Sequence, residues 1–595
     1  MKNLRWIQSA AACFLALILG AEQVSAAVTL GGEGTVYPEK EHAEVSLGEM
    51  SRELFDQEAF DQAVEELDEL SGRKGQEDQV LEQYQVILEE TDRLYTQYVL
   101  LTLDYYRDVE NKEIAEKYEE SEKLLMEAGN TAAETLSALL DSRYYGQLLT
   151  ETMGEENAGA FMAYDGITVR ESILTQREMD LIREYEEALV QDYDSPREEN
   201  QVLGEIYLEL VEVRTDLAET QGYDNYADYA YEQGYYRDYT VEDVEALRQQ
   251  VKEHLVPLYE ACLDCALENN VDAIYTGRQE DSGEMLERLI VPMEKIHPEV
   301  GTAYKYFLSQ ELYDIEPDEK KIDMGYTVEL PFYGDAYIYD SGSGTYEDYF
   351  TMIHEFGHFT SVFYEDNHYL YSVVNMDVSE IHSQGLEVLF WPYFEEIVPG
   401  MGRTMQIYTV YEMLTNIVFC CIYDEIEQEI YRNPDMTLEE LNRTVEEISS
   451  GYGEIPPLDR YEWVEMTHLY QQPFYVISYA TSALAALELL EMAQENRDQA
   501  LDAYMEISAS GTGTAYCQVL ENTGLRNIFQ EGAVKETAEA MAGLLDLELP
   551  EPEISQTPAP EQEPQEKILE SVLGGMSQWL SELTENRRQM LWDAL

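Results

Sequence analysis

Positive charge is what this sequence has least of for its size. Over 595 residues, 36 lysines and arginines face 122 aspartates and glutamates, a formal net charge of −86. So few cations exclude a phosphate-backbone partner, because nucleic-acid binding depends on Lys and Arg to neutralise phosphates. Docking on anionic lipid is disfavoured for the same reason, whereas cations and basic peptides are attracted. Cysteine is scarce too, with six in all and five once Cys13 is set aside with the N-terminal segment. That number excludes a disulfide scaffold in a chain this long. Cys262 and Cys265 form a C-x-x-C, but no second pair follows at metal-site spacing, and their helical surroundings read as packing rather than redox chemistry. Beyond the N-terminus no stretch reads as long and apolar enough to span a bilayer. Histidine is the last scarcity: the chain has eight, and four of them fall between residues 353 and 387.

What is present begins with a core, since 45% of residues are hydrophobic, enough for more than one structural lobe. Lys2 and Arg5, the apolar run "AAACFLALILG" (10–20) and the small residues "VSA" (24–26) have the order of a secretory signal. We therefore expect residues 1–26 to be a signal peptide and the product to be secreted or extracytoplasmic, with an uncleaved anchor as the alternative. From about Leu47 to Asn270, apolar residues recur at three- and four-residue spacing, so the chain reads as helix after helix. Residues 326–340, "YTVELPFYGDAYIYD", alternate and read as a strand or hairpin, followed by a Gly/Ser turn at 341–345. The expected organisation is an N-terminal helical region (27–199), a catalytic region (200–548), a Pro/Glu-rich linker (549–566) and a C-terminal amphipathic helix (567–595). That last helix offers a stripe to an unknown partner, to the cell envelope or to the protein's own body.

The clustered histidines find their reason in "TYEDYFTMIHEFGHFTSVFYED" (345–366). It has no helix breaker except Gly357 and reads as a buried helix. His354 and His358 then stand one turn apart on one face, with Glu355 one residue round the same helix. This is the H-E-x-x-H arrangement of zinc peptidases. The bland alternative, two histidines and an acid buried by chance, leaves Glu355 without a reason to be there. Zinc needs a third protein ligand and an open position. Ser361 stands where the metzincin pattern requires Gly, so a Glu on a second helix is expected instead. Glu380 and Glu387, seven residues apart in "SEIHSQGLEVLF", share one helical face. Glu380 is the preferred ligand; Glu387 is either the alternative or an acid that orients a histidine. His382 points elsewhere on that helix, and His368 lies in a loop-like stretch and takes no role. One zinc ion in this setting lowers the pKa of water and polarises a carbonyl, with Glu355 as the base that moves the proton.

"HEFGH" followed by "E-x-x-S-Q-x-x-E" (380–387) resembles the thimet oligopeptidase and oligoendopeptidase F family of zinc metallopeptidases, closest to the oligoendopeptidase F branch. In that family the first Glu of the second motif is the third ligand, which again selects Glu380. "HLYQQPFYVISYATSALAA" (468–486) resembles the stretch that supplies a His and tyrosines to the transition state, implying roles for His468, Tyr475 and Tyr479. Pro473 reads as the start of a helix, which places Tyr475 and Tyr479 at i, i+4 on one face. "ISASGTGTAYCQVLENTGL" (507–525) resembles a late Gly-rich loop that contacts substrate in relatives, implying Gly511 and Gly513. "GYDNYADYAYEQ" (222–233) resembles the connection that opens the catalytic region.

The resemblance implies a mostly α fold, two helical lobes around a deep substrate channel, with a small β-sheet beside the zinc helix. It implies an endopeptidase acting on short, unfolded peptides, with the 326–340 segment as an edge for strand addition. The rivals are an exopeptidase on a similar fold, such as a peptidyl dipeptidase or carboxypeptidase, and an inactive peptide-binding protein.

Overall fold

The computed structural model describes residues 42–549, apart from 44, 109–110, 163–168, 190, 192, 278–280, 319, 323, 366–367, 372–374, 454–457 and 512. The expected signal peptide, nearly all of the Pro/Glu-rich linker and the C-terminal helix lie outside the described residues.

The N-terminal part is helical as its periodicity predicts. Its first long elements are α1 (Gln57–Ser71), α2 (Glu77–Arg107) and α3 (Lys112–Leu140), packed on one another, followed by α4 (Val169–Leu189) and α5 (Pro196–Thr220). Their starts follow local chemistry: Asp56 caps α1 through the Ala59 amide, and Ser195 caps α5, which opens on Pro196. The buried apolar residues form one continuous cluster from Leu47 to Leu545.

The expected hairpin is present. Strands β2 (Gly325–Leu330) and β3 (Asp335–Asp340) pair antiparallel, with Thr327 opposite Ile338, and Gly334 takes the left-handed conformation that the tight turn requires (φ 66°). A two-residue strand, β1 (Tyr313–Asp314), pairs parallel with the other side of β3. It is too short to leave a periodic signal. β3 is buried throughout, whereas β2 is half-buried at the sheet's edge.

The sheet packs on helix α6 (Glu347–Tyr364). The Gly/Ser turn before α6 is closed by Asp348, whose carboxylate accepts from the Ser343 and Gly344 amides and the Ser343 hydroxyl. Helix α7 (Met376–Leu389), capped by Asn375, crosses α6 and packs on α9 (Ile477–Glu495). Between them in sequence lies α8 (Gly402–Arg432), 31 residues long. α8 corrects the expectation that no stretch past the N-terminus is long and apolar enough to cross a membrane. It meets both conditions, but 67% of its apolar window is buried inside the protein, so its composition serves the core. All five cysteines among the described residues are free, and Cys262 is buried as expected of a packing residue.

Candidate metal centre

The approach of α6 to α7 is set by Gly357. A β-carbon there would lie 2.3 Å from the His382 carbonyl oxygen and 2.6 Å from Ser383 Cα, both backbone atoms that cannot move aside. Glycine lets the helices touch, and that contact brings the Glu380 turn level with the two histidines. Glu380 Oε2 lies 3.5 Å from His354 Nε2 and 3.5 Å from His358 Nε2. Those separations are too long for strong hydrogen bonds. They match a tetrahedral ion, whose bonds of about 2.0–2.1 Å place neighbouring donors about 3.4 Å apart. Among the described residues, only His354, His358 and Glu380 form a cluster able to hold a metal.

The electrostatics suit a cation. Burial disfavours the Glu380 charge, but His358 and His354 beside it hold the carboxyl well below the usual range. Burial likewise opposes a charged His354, yet Glu380 and Glu387 outweigh it and raise its affinity for a proton. Glu387 Oε1 accepts from His354 Nδ1 at 2.7 Å, which leaves Nε2 facing Glu380. Glu380 thus faces both histidines, whereas Glu387 meets only the other ring nitrogen of His354.

Glu355 is buried, and its carboxylate has a partner that the sequence did not suggest. The Thr327 hydroxyl on β2 lies 2.6 Å from Glu355 Oε2 and 2.9 Å from its carbonyl oxygen. The only hint was that 325–330 is a strand next to the His-bearing helix. His382 faces away from the cluster: burial, then the neighbouring His358, push it down to about 3, so the ring is neutral. His368, unassigned from sequence, donates towards Asp92 of α2, whose carboxylate also accepts from the Tyr369 amide at 2.8 Å.

His468, Tyr475 and Tyr479 come together as expected, but by another route. Helix α9 begins at Ile477, not at Pro473, because Phe474 takes a left-handed conformation (φ 65°) that ends any helix there. Tyr475 therefore sits in a turn. Its ring still meets Tyr479 edge-on at 5.1 Å and stacks on His468 at 5.2 Å. Burial raises both phenols well above their ordinary pKa, with the charge of Glu380 adding to it, so both stay protonated donors beside the metal cluster. Gly511, left-handed at φ 64°, lies against Glu365 at the end of α6, and Gly513 lies in open space in the same loop.

Residues 294–539 match the profile of Peptidase family M3. Over that segment, somewhat less than half of its length, the chain is similar to Peptidase family M3. The M3 match contains the metal cluster, Tyr475 and the Gly-rich loop. Among curated proteins, the chain is 28% identical over 193 residues to an "Oligoendopeptidase F homolog" of Lactococcus lactis subsp. lactis (strain IL1403), covering 30% of this chain and 32% of that protein. It is 24% identical over 271 residues to "Oligopeptidase PepF" of Bacillus subtilis (strain 168), covering 42% of this chain and 40% of that protein. The chain thus matches about a third to two fifths of the length of these curated relatives. Among solved structures, PZ peptidase A with an inhibitor superposes with a TM-score of 0.69 at 20% identity, covering 84% of this chain and 99% of that one. A structure assigned to oligoendopeptidase F gives 0.69 at 23% identity, covering 84% and 99%. These likenesses show that the mostly helical fold is shared over most of the chain's length.

Proposed function

We propose that this protein is a zinc-dependent endopeptidase that hydrolyses internal bonds of short peptides outside the cytoplasm. The observation that carries the reading is the placement of His354 and His358 Nε2, each 3.5 Å from Glu380 Oε2, with Glu355 one residue round the same helix.

His354, His358 and Glu380 would hold the ion, and three donors leave a fourth position open. A bound zinc ion supplies Lewis acidity, polarising a carbonyl oxygen and bringing the pKa of water towards neutrality. Glu355 takes the proton of the attacking water and passes it to the leaving nitrogen. Thr327 holds Glu355 Oε2, which fixes the carboxylate's rotation and leaves Oε1 for the proton. Tyr475 and Tyr479, kept as phenols by burial, donate to the oxygen that becomes negative as the carbonyl is attacked. His468, stacked on Tyr475, holds that ring in place. The outer edge of β2 offers amides and carbonyls to an extended peptide, and the loop of Gly511 and Gly513 is a further candidate contact for it. Export rests on the Lys2–Ala26 signal pattern.

The test is cleavage of an internally quenched peptide blocked at both ends, with and without chelator. Chelator-sensitive internal cuts are expected. Cleavage confined to free-ended peptides moves the assignment to an exopeptidase, and binding without cleavage moves it to a peptide-binding protein.

A further inference from the structure

The turn that carries Tyr475 is held from outside by a short irregular segment, Tyr235–Tyr239, whose role no motif suggests. The Tyr235 hydroxyl donates to the Pro473 carbonyl at 2.9 Å. Arg237 Nη2 donates to the Phe474 carbonyl at 2.8 Å and to Ser478 Oγ at 3.0 Å, while its Nε reaches Asp377 Oδ2 at 3.3 Å. Tyr239 donates to the other oxygen of Asp377 at 2.9 Å. Asp238 accepts from the Cys517 and Gln518 amides at 2.9 and 3.2 Å, at the start of the helix Tyr516–Thr523 that follows the Gly-rich loop. Four of these five residues thus fasten the Tyr475 turn, the first turn of the Glu380 helix and the helix beside Gly511 and Gly513.

Arg237 is the joint in this arrangement. Its side chain is fully buried, as is that of Asp377, and the guanidinium lies 4.4 and 4.5 Å from the ring centroids of Tyr231 and Tyr235. The residue it grips is the one before Tyr475. Phe474 is left-handed, its amide donates to the buried Glu427 at 2.9 Å, and its carbonyl goes to Arg237. A left-handed phenylalanine persists only where its surroundings hold it. Here both of its backbone groups are held by buried polar side chains, and the direction of the Tyr475 side chain follows from that backbone.

We propose that Arg237 is a positioning residue, setting the Tyr475 hydroxyl relative to the metal helices by joining Phe474 to Asp377. This rests on the reading of Tyr475 as a donor in peptide hydrolysis. Lysine can keep the charge opposite Asp377, but it cannot reproduce a planar fork that reaches an acid, a carbonyl and a hydroxyl together.

The test compares Arg237→Lys with the parent, each also in a Tyr475→Phe background, by zinc content, kcat and KM on the end-blocked peptide. Arg237→Lys is expected to keep one zinc and to lose about ten- to a hundredfold in kcat, with KM changed by less than about threefold. In the Tyr475→Phe background the same change should cost less than about threefold, because the group it positions has gone. Tyr235→Phe, which removes one hydroxyl at a half-buried site, covers the case that Arg237→Lys does not fold. It should lower kcat by a smaller factor, about three- to tenfold, again only when Tyr475 is present. Undiminished kcat in the folded variants, or an equal loss with and without Tyr475, overturns the positioning role. A Tyr475→Phe enzyme with the parent's kcat instead removes Tyr475 from the mechanism, and the proposal with it.

Discussion

Replacing Glu387 tests how the site is oriented without touching the three candidate ligands. Glu387 Oε1 accepts from His354 Nδ1 at 2.7 Å, and the two side chains are 16% and 28% exposed. A hydrogen bond to a charged acceptor in such a place contributes about 1.5–3 kcal/mol, roughly twice a neutral one. Glu387→Gln keeps an oxygen that can accept from Nδ1 but loses the charge, so about half of that, ~1 kcal/mol, should disappear from zinc binding. At about 1.4 kcal/mol per decade this is roughly a fivefold weaker Kd. Glu387→Ala releases the imidazole altogether and should weaken zinc about ten- to a hundredfold. Glu380→Ala, which removes a ligand, should abolish stoichiometric binding. Competition against a metal-sensitive chelator at fixed pH reads all three, with a thermal melt to confirm folding. Two results refute the reasoning: parental zinc affinity in Glu387→Ala, or zinc retained in Glu380→Ala and lost in Glu387→Ala. The second would exchange the two acids.

Gly357→Ala should lower both Tm and zinc affinity, since its methyl would fall 2.3 Å from the His382 carbonyl oxygen and push Glu380 away. Overpacking of this kind costs about 1–3 kcal/mol, and a variant with parental Tm and zinc would contradict the crossing argument. Asp340 tests the pH dependence of stability. Burial and then the neighbouring Asp348 push it up from 3.8 to about 8, so the folded protein binds a proton that the unfolded chain releases. That contribution is complete below about pH 4 and is lost as pH rises through about 8. Asp340→Asn stays neutral and can still accept from the Gly342 amide, so it should lose less Tm than the parent between pH 5 and 8.5; equal losses would show that the carboxyl ionises freely.

The histidine pair and Glu355 were legible because one helical period fixes their relation, and a buried helix is visible in its composition. Glu380 and Glu387 could not be told apart, since seven residues return to the same face. What separates them is how closely α6 and α7 approach, and that depends on Gly357 meeting the backbone at His382 and Ser383. The start of α9 was misplaced because proline marks many helix starts, whereas a left-handed Phe474 is dictated by Glu427 and Arg237, which lie 47 and 237 residues away in sequence. Thr327, Arg237 and Asp377 act through long-range hydrogen bonds that leave no periodic trace. Their partners become visible only once the elements are packed.

The central claim is that Glu355 moves the proton at a zinc site built by His354, His358 and Glu380. It is tested most directly by purifying Glu355→Gln beside the parent, then measuring zinc stoichiometry and turnover of the end-blocked peptide on the same samples. The account predicts one zinc per chain in both and a loss of about a hundredfold or more in kcat for the variant. A Glu355→Gln enzyme that holds zinc and cleaves at the parental rate would contradict it.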